Sequence, residues 1–311
     1  MCAIFGFLNY GKKISYKKLK NLVKELSIAC EVRGTDATGI SYVKDGKIKV
    51  FKKPKPAHKI NIYFSKDTTA LIGHTRYTTQ GSEKFNQNNH PFKSDLNGFS
   101  LAHNGVICND KELRYQYDLP QTNVETDSYI SVQLLDYCNQ VDFESIKFMA
   151  EQLQGSFVIS ILNRDNTLYL VKGDNPIYLI HFKSLGLYLY SSTKEIMLEA
   201  LMKSNFNLDF EVIHLDDGDI ISINSMCIIE KDYFNVTQLN DSFYYPNYLD
   251  DELNILLDYC INIGIDEDDI YLLLDYGFEV DEIEYLVQDS NLFYECLKTI
   301  KNLEGSNYDY N

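Results

Sequence analysis

Cys2 is the residue on which chemistry could be built. It follows Met1 directly and opens an apolar run, Ala3-Ile4-Phe5-Gly6-Phe7. If the methionine is trimmed, which a small second residue permits, Cys2 carries both a thiol and a free α-amine. Such an amine has a reference pKa near 7.7–8.0, so at neutral pH a useful fraction can accept the thiol proton, through a water. Nucleophile and base then sit in one residue. The competing reading is a buried strand cysteine, because free Cys is among the most buried residue types.

Three further stretches offer groups that such a nucleophile would need. In Gly73-His74-Thr75-Arg76-Tyr77 an arginine closes a strand, where its guanidinium can grip a carboxylate with two parallel hydrogen bonds or form a surface salt bridge. In His103-Asn104-Gly105 a side-chain amide and a glycine N–H can converge on one point, as an oxyanion hole requires, although Asn-Gly also turns hairpins. In Val124-Glu125-Thr126-Asp127-Ser128, Asp127 can complement a helix dipole or receive a substrate ammonium. The stretch Arg33-Gly34-Thr35-Asp36-Ala37-Thr38-Gly39 reads as a turn with special backbone angles.

These groups have to be held by the surrounding elements. Leu19, Leu22, Val23 and Leu26 recur at helical spacing behind Ser15, a plausible N-cap, which predicts a helix over 16–29. Strands are expected at 40–43, 48–51, 70–76 and 99–102, and a helix from 124 to about 138. The polar segment 81–98 is long for a connection inside a compact domain, which marks a functional lid or disorder. Strands at 155–162, 167–171, 177–182, 185–190, 210–215, 219–223 and 227–231, with a helix at 194–202, complete an α+β pattern.

Composition excludes several classes. The chain has 311 residues, 45% of them hydrophobic and 24% charged, as in ordinary globular proteins. No apolar run is long enough to cross a membrane and no signal peptide is recognisable, so a cytoplasmic protein is expected. The seven cysteines lack the spacing of a disulfide framework or a zinc site; no metal and no cofactor are expected. His58, His181 and His214 are unclustered and read as structural or exposed. Net charge is −16, and residues 247–311 hold 17 Asp or Glu against Lys298 and Lys301, leaving about −1 for residues 1–246. Neither part is expected to have a basic patch, which disfavours nucleic acid as a partner. The boundary falls near Tyr244-Tyr245-Pro246. Beyond it, acidic helices are expected at 250–264, 267–277, 281–288 and 292–303, with a repeat at a spacing of 13 that aligns Gly264-Ile265 with Gly277-Phe278. This module could pack onto the first domain through Leu256, Leu257, Leu273 and Leu286, or dock a partner or another copy of the chain, making a homo-oligomer possible.

Taken together, Cys2-Ala3-Ile4-Phe5-Gly6, Arg33-Gly34-x-Asp36-x-x-Gly39, Gly73-His74-Thr75-Arg76-Tyr77-x-Thr79-x-Gly81, Asn88-x-His90-Pro91, His103-Asn104-Gly105 and Glu125-Thr126-Asp127 resemble the class II glutamine amidotransferases. These are the glutaminase domains found on glucosamine-6-phosphate synthase and amidophosphoribosyltransferase. The resemblance covers roughly residues 2–235. It implies a four-layer αββα sandwich of the N-terminal nucleophile hydrolase type over residues 2–246, with a small all-α module at 247–311. It also implies that Cys2 is the nucleophile, that Asn104 and Gly105 form the oxyanion hole, and that Arg33 supports the nucleophile. Arg76 would grip the α-carboxylate of glutamine, with Tyr77, Thr79 and the neighbouring backbone beside it. Asp127 would receive the α-ammonium, and the segment after Gly81 would close over the substrate. Gln80 and Tyr77 depart from the glucosamine-type pattern, which has His and Trp there.

The family's full enzymes continue with a sugar-phosphate isomerase or phosphoribosyltransferase domain, which the 65 residues after Pro246 cannot form. The resemblance therefore leads us to expect L-glutamine as substrate and a separate ammonia-accepting synthetase or transferase as partner, with removal of Met1 alone sufficing for maturation. The alternatives are a catalytically silent scaffold, or a stand-alone amidase acting on a γ-glutamyl compound.

Overall fold

Strand β1 (Ala3–Asn9) is buried at every position, because both of its faces are covered. Ile4 and Leu8 point to one side and Ala3, Phe5 and Phe7 to the other, each set joining a different apolar cluster. In this computed structural model the described residues are 2–206, 208–236, 253, 256–257, 259–260, 263–276, 278, 280–287 and 290–305. They fall into two compact units, Met1–Ser242 and Phe243–Asn311.

In the first unit thirteen strands form two antiparallel sheets. One has seven strands in the order β11 (Glu211–Ile213), β9 (Tyr178–Phe182), β10 (Leu187–Ser191), β1, β4 (Ala70–Arg76), β2 (Ala37–Lys44), β3 (Lys47–Lys53). The other has six: β13 (Ile229–Tyr233), β12 (Asp219–Ile223), β8 (Leu168–Lys172), β7 (Gly155–Asn163), β6 (Phe99–Ile107), β5 (Phe92–Lys93). Ile4, Leu8 and Ile72 of the first sheet meet Ala102, Val158 and Leu170 of the second between the layers. Helices α1 (Tyr16–Ala29) and α5 (Lys194–Lys203) cover the outer face of the first sheet through Leu22, Leu26 and Met197. Helices α2 (Asp110–Gln116), α3 (Tyr129–Tyr137) and α4 (Phe143–Gln152) cover the second through Leu113, Leu134 and Met149. The layers are αββα, and β1 and β4 lie side by side at the centre of the first sheet.

Helix α1 spans the expected residues, and the Ser15 hydroxyl accepts from the Lys18 N–H. Two helices escape sequence reading. Helix α2 is seven residues long, too short for a periodic signal, and α4 starts from an Asp142/Ser145 capping box rather than the commoner form with Glu or Gln. Helix α3 begins at Tyr129, not 124, because the preceding backbone is spent elsewhere: the Asp127 N–H donates to Gln80 Oε1 at 2.8 Å. The hairpin alternative for Asn104-Gly105 is corrected as well. Strand β6 runs straight through both residues, paired to β7 from Phe99↔Asn163 to Ile107↔Gly155.

The charge reading also needs correction, since residues 12–66 hold 14 lysines and Arg33 against four acidic residues. Many of them lie on α1 and on β3, the edge strand of its sheet, where Lys47, Lys49 and Lys53 are exposed. Lysines on an edge strand oppose pairing with another chain's strand, which accounts for that part of the excess.

In the second unit, helices span Glu267–Asp275, Val280–Val287 and Ser290–Gly305. Leu256, Leu257, Ile270, Leu273, Ile283, Phe293 and Leu297 pack into a cluster of their own, with Leu286 against it. The expected boundary at 244–246, Gly277 of the repeat and much of the helix expected at 250–264 lie outside the described residues.

Candidate active site

Antiparallel pairing of β1 with β4 places Ala3 opposite Thr75, so the chain beyond Arg76 passes beside Cys2. The Tyr77 N–H points at Cys2 Sγ, 3.4 Å away, and the thiol can donate back to the Tyr77 carbonyl at the same distance. On the other side of β4, β2 aligns Ala37 with Arg76 and carries the Arg33–Asp36 turn to the same end of the sheet. Arg33 Nε donates to the Cys2 carbonyl at 2.8 Å, and Asp36 Oδ2 accepts from the Thr78 N–H at 2.8 Å. Gly34 is obligatory here. A Cβ on it would lie 2.4–2.6 Å from the Arg76 and Tyr77 backbone.

Arg76 is 2% exposed, which rules out the surface salt bridge. Its Nη1 donates to Asn89 Oδ1 at 2.7 Å, and its Nη2 to the carbonyls of Gln80 (2.5 Å) and Gly81 (2.9 Å). A guanidinium has five N–H donors, so three are used in these bonds and Nε–H and one Nη1–H remain. Asp127 is buried; its Oδ2 accepts from the Ile107 N–H at 2.7 Å and its Oδ1 from the Ser128 hydroxyl at 3.2 Å. Each carboxylate oxygen has a second lone pair, so an incoming ammonium can still be received.

Burial pushes the Cys2 thiol up, against the Tyr77 N–H and the Arg76 guanidinium that pull it down, while Asp127 pushes it up. Both charges are thus within electrostatic reach of Sγ. Burial of this kind favours the neutral thiol over the thiolate.

Asn104 and Gly105 lie on β6 of the facing sheet, and His74 Nε2, hydrogen-bonded to the His103 carbonyl at 3.0 Å, ties β4 to that strand. The Asn104 side-chain nitrogen is buried without a hydrogen-bond partner among the described residues. An unspent buried donor is costly, and it is what an oxyanion hole holds ready. Gly105 has φ +144°, and a Cβ there would sit 1.9 Å from the Ser156 carbonyl. Thr79 is exposed on the turn after Tyr77. The exposed Tyr77 ring lines a cleft of about 600 Å³ with Glu31, Arg33, Thr193 and Glu195. It is the Tyr77 backbone, not its ring, that meets the thiol.

Sequence reading missed the residues that brace this site. Asn89 accepts from Arg76 and donates to the Glu83 carbonyl, while Asn88 exchanges two hydrogen bonds with Glu125, 2.7 and 3.0 Å. They tie down segment 81–90. Asn175, on the turn after β8, donates to the Asn104 carbonyl at 3.1 Å. Asn88 stood in a quoted motif, but nothing in spacing revealed that its amide faces Glu125.

Residues 74–199 match the family model of the glutamine amidotransferase domain. The glutamine–fructose-6-phosphate aminotransferase (isomerizing) of Staphylococcus epidermidis is 34% identical over 188 residues, 57% of this chain and 30% of that protein. That of Staphylococcus aureus is 30% identical over 243 residues, 75% of this chain and 37% of the relative. The chain carries a class II glutamine amidotransferase domain. The same fold is seen in the solved structure of glutamine phosphoribosylpyrophosphate amidotransferase from B. subtilis complexed with ADP and GMP, with a TM-score of 0.59 and 19% identity over 76% of this chain and 50% of that one. The match spans less than two fifths of the curated relatives' own length. No described helix is long and apolar enough to cross a membrane.

Proposed function

We propose that the chain hydrolyses L-glutamine to glutamate and ammonia in the cytoplasm and passes the ammonia to a separate acceptor enzyme. What supports this most is a buried guanidinium with unspent N–H groups, Arg76, next to the Tyr77 backbone that meets the Cys2 thiol, and a buried carboxylate, Asp127, whose backbone is tied to Arg76 through Gln80. A free α-amino acid carries the two complementary charges. With its head held there, the side-chain amide reaches the thiol. The Cys2 amine freed by loss of Met1 takes the thiol proton, and sulfur bonds to the amide carbon. Asn104 Nδ2 and the Gly105 N–H receive the oxyanion. The C–N bond breaks as the ammonium returns its proton to the leaving nitrogen, leaving a γ-glutamyl thioester that water hydrolyses.

Arg76→Ala and Asp127→Ala test the head-group assignment. Each should raise KM for glutamine by about tenfold or more, since a charge-assisted contact contributes roughly 1.5–3 kcal/mol. Steady-state ammonia release measures it, and unchanged KM in both variants would place the substrate elsewhere.

The proposal extends to the acidic residues 247–311, which we assign to docking of a basic partner. Because the described apolar residues of the second unit pack on one another, a chain ending at Ser242 should keep glutamine turnover within about twofold and melt within a few degrees of the whole protein. Association with the partner should weaken as salt rises, because exposed charges are screened. A large drop in melting temperature on truncation would show that the tail completes the first unit's core.

A further inference from the structure

Gln80 occupies a position that the assignment above leaves without a role, and its two ends are engaged in opposite directions. Its carbonyl accepts from Arg76 Nη2 at 2.5 Å, while its side-chain Oε1 accepts the Asp127 N–H at 2.8 Å. Asp127 is pinned from its far side by Ile107 and Ser128 through the carboxylate itself. Hydrogen bonds therefore run from the guanidinium through Gln80 to the backbone N–H of Asp127, whose carboxylate is held separately. We infer that Gln80 is a positioning residue that fixes the spacing between the α-carboxylate and α-ammonium sites, and so selects ligands bearing both charges.

This rests on the head-group reading of Arg76 and Asp127. Geometry supports it in three ways. Residue 80 lies on the turn after β4 and residue 127 just before α3, so their separation depends on what bridges them. Gln80 is only half-buried, so its amide is not filling a core. The second bridge between these segments, the Asn88–Glu125 pair, is independent of Gln80 and should keep the chain near its place when Gln80 is altered. Loss of the Gln80 amide therefore loosens the Asp127 backbone, and with it the aim of the carboxylate, without releasing the whole segment. Such loosening weakens the grip on an ammonium and leaves Arg76, with its bonds to Asn89 and Gly81, able to hold a carboxylate.

The distinguishing ligands are L-glutamate and glutarate, which differ only in the α-amine. Their binding to the full chain is measured by calorimetry in wild type, Gln80→Met, which keeps the volume without the acceptor, and Gln80→Asn, one methylene too short. Both variants should bind L-glutamate about tenfold more weakly, the scale of one hydrogen-bonded charge, with glutarate changed less than about twofold. Equal weakening of both ligands, or of neither, overturns the positioning role, because a merely structural residue would not discriminate the amine. Arg76→Ala separates the two levels of the argument: it should weaken both ligands. If it weakens neither, the head-group reading fails whatever Gln80 does.

Discussion

Cys2→Ala is expected to lower ammonia release from L-glutamine by about 10⁴-fold or more while glutamine still binds, since removing a nucleophile leaves only the catalysis that binding and oxyanion contacts supply. The groups assigned to the α-charges, Arg76 and Asp127, are braced by Asn89, Ile107 and Ser128 and do not depend on the thiol. Alanine at position 2 also preserves the α-amine, the backbone of β1 and the carbonyl that Arg33 holds. Binding heat with lost turnover is therefore the expected pair of observations, from calorimetry and a coupled ammonia assay on protein whose mass shows Met1 removed. Turnover near wild type would mean that another group attacks. Loss of binding together with turnover would mean that the variant disturbs the site as a whole.

Much of the fold could be read from the chain because its strands are short, β-branched or aromatic, and bounded by glycine and polar turns. Helix α1 announced itself by its cap and its four-residue apolar face. What periodicity could not show was the role of residues whose bonds connect distant segments. Asn88 with Glu125, Gln80 with Asp127, and Asn175 with Asn104 each join stretches at least 37 residues apart. Local spacing contains no trace of such pairs. The Asn104-Gly105 pair illustrates the limit most clearly, because the dipeptide that favours a tight turn is instead carried straight through a strand by nine residues of pairing with β7. Propensity yields there to the sheet, and the glycine serves a close approach to the Ser156 carbonyl. The cysteine, arginine, asparagine and aspartate of the site were legible as candidates. Their convergence was implied by the family resemblance but not by spacing, because it depends on the register of β1, β2 and β4 and on the facing of two sheets.

Three buried histidines cluster beside the β4–β6 contact, and they should make the protein acid-labile well above the pH at which carboxylates titrate. His90 stacks on His74, ring centroids 4.2 Å apart, and against Phe92 at 4.3 Å, while His103 Nδ1 shares a 2.7 Å hydrogen bond with Ser128 Oγ. Burial pushes all three imidazoles down, His74 to about 3, and Arg76 adds to the effect on His74 and His90. An unfolded histidine titrates near 6.5. Between that pH and the lower folded value the unfolded chain holds more protons, so stability is fully present above about pH 6.5 and is lost as pH falls below it. Each ring that stays neutral in the folded state costs about 1.4 kcal/mol per pH unit, against a typical stability of about 5–15 kcal/mol. Urea unfolding followed by circular dichroism from pH 7.5 to 5.0 should show that slope. His90 offers the decisive variant, because neither of its ring nitrogens has a hydrogen-bond partner among the described residues. Replacing it by phenylalanine forfeits no such bond and should lower the slope by up to about 1.4 kcal/mol per pH unit. An unchanged slope in His90→Phe would show that the folded protein already accepts a proton at this stack, and that some other group sets its stability in mild acid.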